Sequence, residues 1–331
     1  MNQELFTVVI PLYNKATEIE RTLKSVLNQS ISCFRIIVVD DGSTDGGAEI
    51  VKKYTSDNRI TLMQQKNMGV SSARNRGIQE AKSNLIALLD ADDEWYPDFL
   101  ETILELYYKY PDAGIYGTAF DRCADDVCKP NAVRGLPNNE KWDGYIPSYF
   151  HVCRKSGHPP FSSSCVVLNK EIAGELVYFN TNAWMSEDLE VWDRIAFNYP
   201  VVFTTKSCAR YHLVASNKTI YKFRELRMLP SVEYFETLSP DVIKNYQYHK
   251  DLELYLEYLK LIVAYFNIGA GNKKYAQKIL RQSHSLIYVP RKFVLNILAH
   301  APNKIGKLGI YTYSQLPIYL LKIVKKITFW K

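Results

Sequence analysis

The stretch LLDADDEWYP, Leu88 to Pro97, decides how this chain reads. The apolar run Leu85-Ile86-Ala87-Leu88-Leu89 stops abruptly at three carboxylates, Asp90, Asp92 and Asp93. A run of that length bounded by polar residues predicts a strand buried on both faces of a sheet. Three acids in four residues repel one another unless a cation stands among them. Carboxylate oxygens suit a hard ion, Mg²⁺ or Mn²⁺, which keeps positions open for substrate phosphates. The residues also allow a plainer reading, a strand followed by an acidic helix start, because Pro97 and Asp98 are helix-opening residues.

Upstream the same unit repeats. FTVVIPL at 6–12, RIIVVD at 35–40 and residues 60–64 read as strands. Between them lie helical faces. Ile19, Leu23, Val26 and Leu27 follow a Thr17/Glu20 pair in capping-box spacing, Ile50, Val51 and Tyr54 mark a second helix, and 70–81 a third. Downstream, Leu100, Ile103, Leu104 and Tyr107 form a helical stripe. Four alternations with short connections predict a mostly parallel sheet with right-handed crossovers and helices on both faces, an α/β architecture. Ligands bind beyond the carboxyl ends of such strands. Tyr13, Asp40, Asp41, Asp90 and Asp92 all fall there.

The pattern then changes. A strand is expected over 113–123, irregular substrate loops over 124–162, a strand over 165–168, a helix opened by Ser186-Glu187-Asp188 with Leu189, Trp192, Ile195 and Ala196 inward, and a strand over 201–211. After about residue 216 the sequence turns helical, with Leu252, Tyr255, Leu256, Leu259 and Val263 on one stripe. This divides the chain into residues 1–215 and a helical extension, 216–331.

Charge sharpens the division. The 331 residues carry 41 basic and 35 acidic side chains, but residues 271–331 hold 12 Lys/Arg and no Asp or Glu. The remainder is therefore net acidic and the tail strongly basic. No signal peptide is read at the N-terminus, and no apolar run reaches spanning length. The six cysteines show no C-x-x-C pair and are expected as reduced, mostly buried thiols. The 24 tyrosines suit carbohydrate or membrane-interface contacts without proving either.

Five motifs in order, VVIPLYN, VVDDGSTD, NMGVSSARNRG, LLDADDEW and SEDLEVWDR, resemble the family 2 glycosyltransferases over about residues 5–215. The resemblance implies an inverting enzyme of the GT-A fold, a Rossmann-like sheet here followed by a helical C-terminal extension. It implies that Tyr13 stacks on a nucleotide base, that Asp41 accepts from the base N–H with Pro11 shaping the loop, and that Arg74 lies near the donor diphosphate. It makes Asp90-Ala91-Asp92 the D-x-D motif, with Asp92 on a Mg²⁺ or Mn²⁺ ion and Asp90 toward the ribose or a metal-bound water. Asp188 resembles the general base, and Ser162-Ser163-Ser164 a loop near the acceptor. Plainer readings stay open: an Asx turn at Asp41-Gly42-Ser43, a solvated helix face for Arg74, and carboxylates at a helix N-terminus for Glu187-Asp188. His212 is either structural or a further metal or phosphate contact.

A haloacid-type phosphatase needs Thr or Val two residues after its D-x-D, where Asp93-Glu94 stands instead. A dinucleotide oxidoreductase needs G-x-G-x-x-G where PLYNKA stands, and no G-x-x-x-x-G-K-[ST] occurs. A non-catalytic nucleotide-sugar-binding protein on the same fold is the alternative. Expected partners are a nucleotide-sugar donor, foremost a UDP-sugar, and a glycan or lipid-linked acceptor of bacterial cell-surface polysaccharide synthesis, with no nucleic acid. In the tail, Ile318, Leu320, Leu321, Ile323, Val324 and Ile327 interleave with Lys322, Lys325 and Lys326 before Phe329-Trp330. That pattern suits peripheral attachment to an anionic surface, the inner face of the plasma membrane, or else a helix packed on the protein.

Overall fold

The computed structural model describes residues 4–124, 127–137, 141–214, 223–283, 286–302, 306–307 and 309–310. The chain divides into two compact units, Met1–Thr219 and Ile220–Lys331. The first begins with β1 (Phe6–Leu12), α1 (Ile19–Leu27), β2 (Phe34–Asp40), α2 (Gly47–Lys52), β3 (Ile60–Gln64), α3 (Val70–Glu80) and β4 (Leu85–Leu88). The four strands pair in the order β3-β2-β1-β4, all parallel. Their apolar runs dictate this: Val8, Val9, Val38, Val39, Ile86 and Ala87 are all buried, as a sheet covered on both faces requires. α3 lies close on β1 at Gly77, where an added Cβ would meet Val9 Cγ1 at 2.4 Å.

The expected Thr17/Glu20 capping box does not form. α1 starts at Ile19, Thr17 bonds the neighbouring Glu18 side chain, and Glu20 accepts from Tyr54 of the α2 turn. Tyr54 and, one turn on, Lys24 engage the Glu20 carboxylate instead of the backbone.

The unit continues through β5 (Glu94–Trp95), α4 (Phe99–Lys109), β6 (Ile115–Ala124), β7 (Val127–Pro130), β8 (Asp143–Tyr145), α5 (Tyr149–Ser156), β9 (Val166–Asn169), α6 (Lys170–Ala173), α7 (Glu187–Asn198) and β10 (Val201–His212). β9 is inserted between β4 and β6, antiparallel to both. β10 runs parallel to β6 and antiparallel to the two-residue β5. The expected mostly parallel sheet flanked by helices is thus observed.

Residues 124–162 are more ordered than their composition implies, which corrects the expectation of irregular loops. They include two short strands and α5, capped by the Ser148 side chain, closed by left-handed Gly157, and burying Tyr149, Phe150, Val152 and Cys153. The reduced state expected of all six cysteines fails at two. Cys123 and Cys128 face each other across the β6–β7 hairpin and form a disulfide, because hairpin register sets them opposite. Cys153, Cys165 and Cys208 are buried free thiols.

The second unit holds α8 (Pro230–Thr237), α9 (Pro240–Asn245), α10 (His249–Ala270), α11 (Lys273–Gln282) and α12 (Val289–His300). α10 buries Leu252, Tyr255, Leu259 and Val263 as its spacing predicts, with Leu256 half-buried. The wholly buried Asn267 bonds both backbone groups of Leu226, which satisfies its amide. No helix among the described residues is long and apolar enough to cross a membrane. The interleaved tail, Ile318 to Trp330, lies outside the described residues.

Candidate active site

The carboxyl ends of β1, β2 and β4 meet on one rim. Pro11 sits in β1, and Tyr13 follows the strand with 46% of its surface exposed, a large aromatic face open to solvent. Asn14 next to it takes a left-handed backbone (φ 50°), a conformation that Asn tolerates. Its side chain accepts from Thr44 N–H, and its own N–H donates to Ser43 Oγ. Asp40 and Asp41 close β2 and are both buried. Asp41 accepts three 2.8 Å hydrogen bonds, from Gln65 Nε2 and from the backbone N–H groups of Met68 and Gly69. It therefore shapes the turn that launches α3.

The acidic stretch after β4 folds into a tight loop. Lys15 Nζ lies 2.8 Å from Asp92 Oδ2, and Arg21 donates to the Asp92 carbonyl at 2.7 Å. Asp93 points inward and is 1% exposed. It is held by Ser164 Oγ at 2.5 Å and the His212 backbone N–H at 2.9 Å. Burial, then repulsion from Asp90 and Asp92, pushes its pKa well above the usual carboxylate range. His212 Nε2 meets Glu94 at 2.7 Å, and Arg21 Nε meets the same oxygen at 3.2 Å. The β5–β10 pairing brings these groups together.

Arg74, on α3, joins this loop to α7. It is 4% exposed. One guanidinium nitrogen lies 2.8 Å from Asp90 Oδ1 and another 3.2 Å from Glu187 Oε1, with the Phe179 ring beneath at 5.1 Å. Burial works against its charge, but Asp90, Glu187 and Asp188 outweigh that and raise its pKa further. Burial and the adjacent Asp188 raise the pKa of Glu187, while Arg74 pulls it down. α7 opens at Ser186, a non-glycine residue with φ 59°. Such strain persists only where surrounding structure enforces it, commonly at functional sites. Asp188 follows, with Oδ1 accepting from Leu189 N–H at 2.8 Å and Oδ2 3.4 Å from Ser163 Oγ. Among the described residues, no cluster of three or more His, Cys, Asp or Glu side chains is arranged to hold a metal ion by itself.

The sequence model described as Glycosyl transferase family 2 matches residues 7–176, half of the chain. The chain belongs to this family. Its curated relatives include the putative teichuronic acid biosynthesis glycosyltransferase TuaG of Bacillus subtilis (strain 168), 29% identical over 238 residues, covering 68% of this chain and 89% of TuaG. The uncharacterized glycosyltransferase YibD of Escherichia coli (strain K12) is 41% identical over 101 residues, 30% of this chain and 29% of YibD. The match with YibD is thus confined to under a third of that protein's length. Among solved structures, S. aureus TarS 1-349 in complex with UDP-GlcNAc superposes with a TM-score of 0.58 at 16% identity, over 91% of this chain and 82% of that one. The mannosyltransferase PcManGT from Pyrobaculum calidifontis, in complex with GDP-Man and Mn²⁺, gives 0.55 at 18% identity, over 93% and 84%. At such identities these two share the fold, which is GT-A.

Within this glycosyltransferase domain, the structure gathers Asp90, Asp92, Arg74 and Asp188 around one loop and places Tyr13 and Asp41 at the neighbouring strand ends. It also enlists residues that sequence reading passed over. Lys15, Arg21 and Phe179 belong to none of the patterns that the sequence offered. One signal was available for Lys15: it stands two residues after Tyr13, on a rim already expected to carry Asp40, Asp41, Asp90 and Asp92.

Proposed function

We infer that this chain is an inverting glycosyltransferase that moves a sugar from a nucleoside-diphosphate sugar, foremost a UDP-sugar, to a hydroxyl of a glycan or lipid-linked acceptor. The observation that carries this is the Arg74 clamp, which holds the donor-side Asp90 and Glu187, the neighbour of Asp188, on one guanidinium. Residues 1–215 do the chemistry. The exposed Tyr13 ring offers a stacking face to the base. Asp41 has used three of about four acceptor positions, which leaves one for a base N–H. Arg74 serves the diphosphate end of the donor by orienting Asp90.

The donor set around Asp92 fits a divalent cation. Asp90 and Asp92 are partly exposed carboxylates on one loop, and each already faces a cationic side chain. Mg²⁺ and Mn²⁺ commonly take one or two carboxylates and complete their shells with substrate phosphates and water, so a full protein cage is not required. When bound, such an ion supplies charge stabilisation for the leaving diphosphate. The chain's own residues do the rest. Asp188 takes the proton of the acceptor hydroxyl. The freed oxygen forms a bond to the anomeric carbon from the face opposite the leaving diphosphate, and the C–O bond to the diphosphate breaks with its electron pair on the phosphate oxygen. One in-line displacement inverts the anomeric centre.

The test is a panel of UDP-, GDP- and dTDP-sugars with Mn²⁺ and glycan acceptors, scored for nucleoside diphosphate release and for product anomeric configuration by NMR. Release that stops in excess chelator, and is lost in Asp92→Asn, is the expected result. A retained configuration, chelator-resistant turnover, or nucleotide-sugar binding without any turnover overturns the reading.

The basic extension, residues 216–331, is assigned to peripheral attachment at the cytoplasmic face of the membrane. α11 exposes Lys274, Lys278 and Arg281 while burying Ala276, Ile279 and Leu280, and α12 exposes Phe293 and Ile297. Basic side chains near anionic lipid contribute about 1 kcal/mol each, so Lys274→Gln/Lys278→Gln/Arg281→Gln is expected to weaken binding to phosphatidylserine-containing vesicles by about tenfold or more at low salt. Sedimentation with vesicles checks this, and wild-type protein that ignores such vesicles at low salt refutes the attachment.

A further inference from the structure

Lys15 links the turn after Tyr13 to the Asp92 carboxylate. Its backbone follows Tyr13 and Asn14, the latter held in its left-handed turn by Ser43 and Thr44. Its carbonyl accepts from Glu18 N–H and Ile19 N–H at the start of α1, so the base of the side chain is fixed. Its ammonium reaches Asp92 Oδ2 at 2.8 Å, with the two side chains 13% and 20% exposed. A diphosphate that runs from a base stacked on Tyr13 toward Asp92 must pass this ammonium. An ammonium on a flexible stem can re-aim by a few ångströms without backbone movement.

We propose that Lys15 is an exchange residue: it neutralises Asp92 while the donor is absent and transfers to the donor diphosphate when the nucleotide arrives with its divalent ion. This rests on the donor and metal reading above. The exchange gives Lys15 two opposed effects. On the empty enzyme it competes with a divalent ion for Asp92. On the loaded enzyme it adds a charge-assisted hydrogen bond to phosphate. A lysine that merely braced the loop would support both binding events.

The experiment measures Mn²⁺ affinity by electron paramagnetic resonance or calorimetry, first with the protein alone. It then measures the affinity of UDP, GDP and dTDP at saturating Mn²⁺. Lys15→Met is expected to bind Mn²⁺ alone about threefold or more tighter, and to bind the preferred nucleoside diphosphate about tenfold more weakly. Lys15→Arg is expected to restore much of the nucleotide affinity. Lys24→Met, which removes an α1 cation paired instead with Glu20, is expected to move neither affinity by more than about twofold in physiological salt. Unchanged or weaker Mn²⁺ binding in Lys15→Met, or unchanged nucleotide binding, overturns the exchange while leaving the donor reading intact. Wild-type protein that takes up neither Mn²⁺ nor any of the three nucleotides overturns the donor reading, and the exchange with it.

Discussion

Asp188→Asn is expected to lower turnover by roughly 10²–10⁴-fold, the usual contribution of a positioned base, while the affinity for the nucleotide-sugar donor stays within about twofold. An acceptor hydroxyl is a weak nucleophile at neutral pH, and Asn cannot take its proton. The substitution keeps the side-chain volume and an oxygen able to accept from Leu189 N–H, so the start of α7 is preserved. In the proposed function donor affinity rests on other groups, Tyr13, Asp41 and the Asp90/Asp92 loop. Glu187 beside it is engaged elsewhere, on Arg74. Glu187→Gln is therefore expected to cost far less turnover than Asp188→Asn. The check is kcat alongside a directly measured donor Kd for both variants. Loss of donor binding in Asp188→Asn, or greater inactivation in Glu187→Gln, would reassign the base.

Arg74→Met is expected to be the most damaging single change to stability near the site, at about 3 kcal/mol. It strips the shared counter-charge from Asp90 and from the largely buried Glu187. The low end of the range for broken buried pairs applies, because Asp90 keeps 31% of its side chain in water. The pH dependence follows from Glu187. Its folded pKa is already raised by burial and by Asp188, so its contribution to stability is fully present below the unfolded value and is lost as pH climbs through the folded one. Removing Arg74 raises the folded value further. The deficit against wild type should thus be smallest in acid and should widen as pH climbs past the raised folded pKa of Glu187. Replacing both partners, Arg74→Met/Glu187→Met, should recover part of the stability without recovering turnover, since an apolar pair can stand in for a buried ionic one. Denaturant unfolding across a pH series measures all three. A deficit that shrinks toward alkaline pH would show that Glu187 is not the group left exposed to the loss.

The sequence made the parallel half of the sheet legible because β1, β2 and β4 are mostly apolar and end in abrupt polar turns. The same contrast exposed Asp41, one residue beyond β2, and Asp90 and Asp92, two and four residues beyond β4. Partnership was not legible. Arg74 and Glu187 are 113 positions apart, Lys15 and Asp92 are 77 apart, and no local pattern encodes such pairs. Nor does the composition of β9 reveal that it enters between β4 and β6 against their direction. α5 was obscured for a different reason. Its flanks are rich in Pro, Gly and Trp, which drew attention away from two adequate boundary signals, Ser148 and Gly157. The Cys123–Cys128 pair went unread because the segment after Cys123 was taken as loop, and only a hairpin sets those side chains opposite each other.

The tight seat of α3 on β1 has a genetic consequence. Every missense change at the Gly77 codon adds at least a Cβ, and there is no room for one against Val9. Overpacking of this kind costs about 1–3 kcal/mol, relieved by sliding or tilting the helix. Arg74 lies one turn earlier on that helix and moves with it. Substitutions at a residue without a side chain should therefore score among the null alleles in an activity screen, beside those of the acids themselves. Unfolding curves would tell the two kinds apart, and a Gly77→Ala protein with wild-type melting and wild-type turnover would show that the helix can give way without taking Arg74 along.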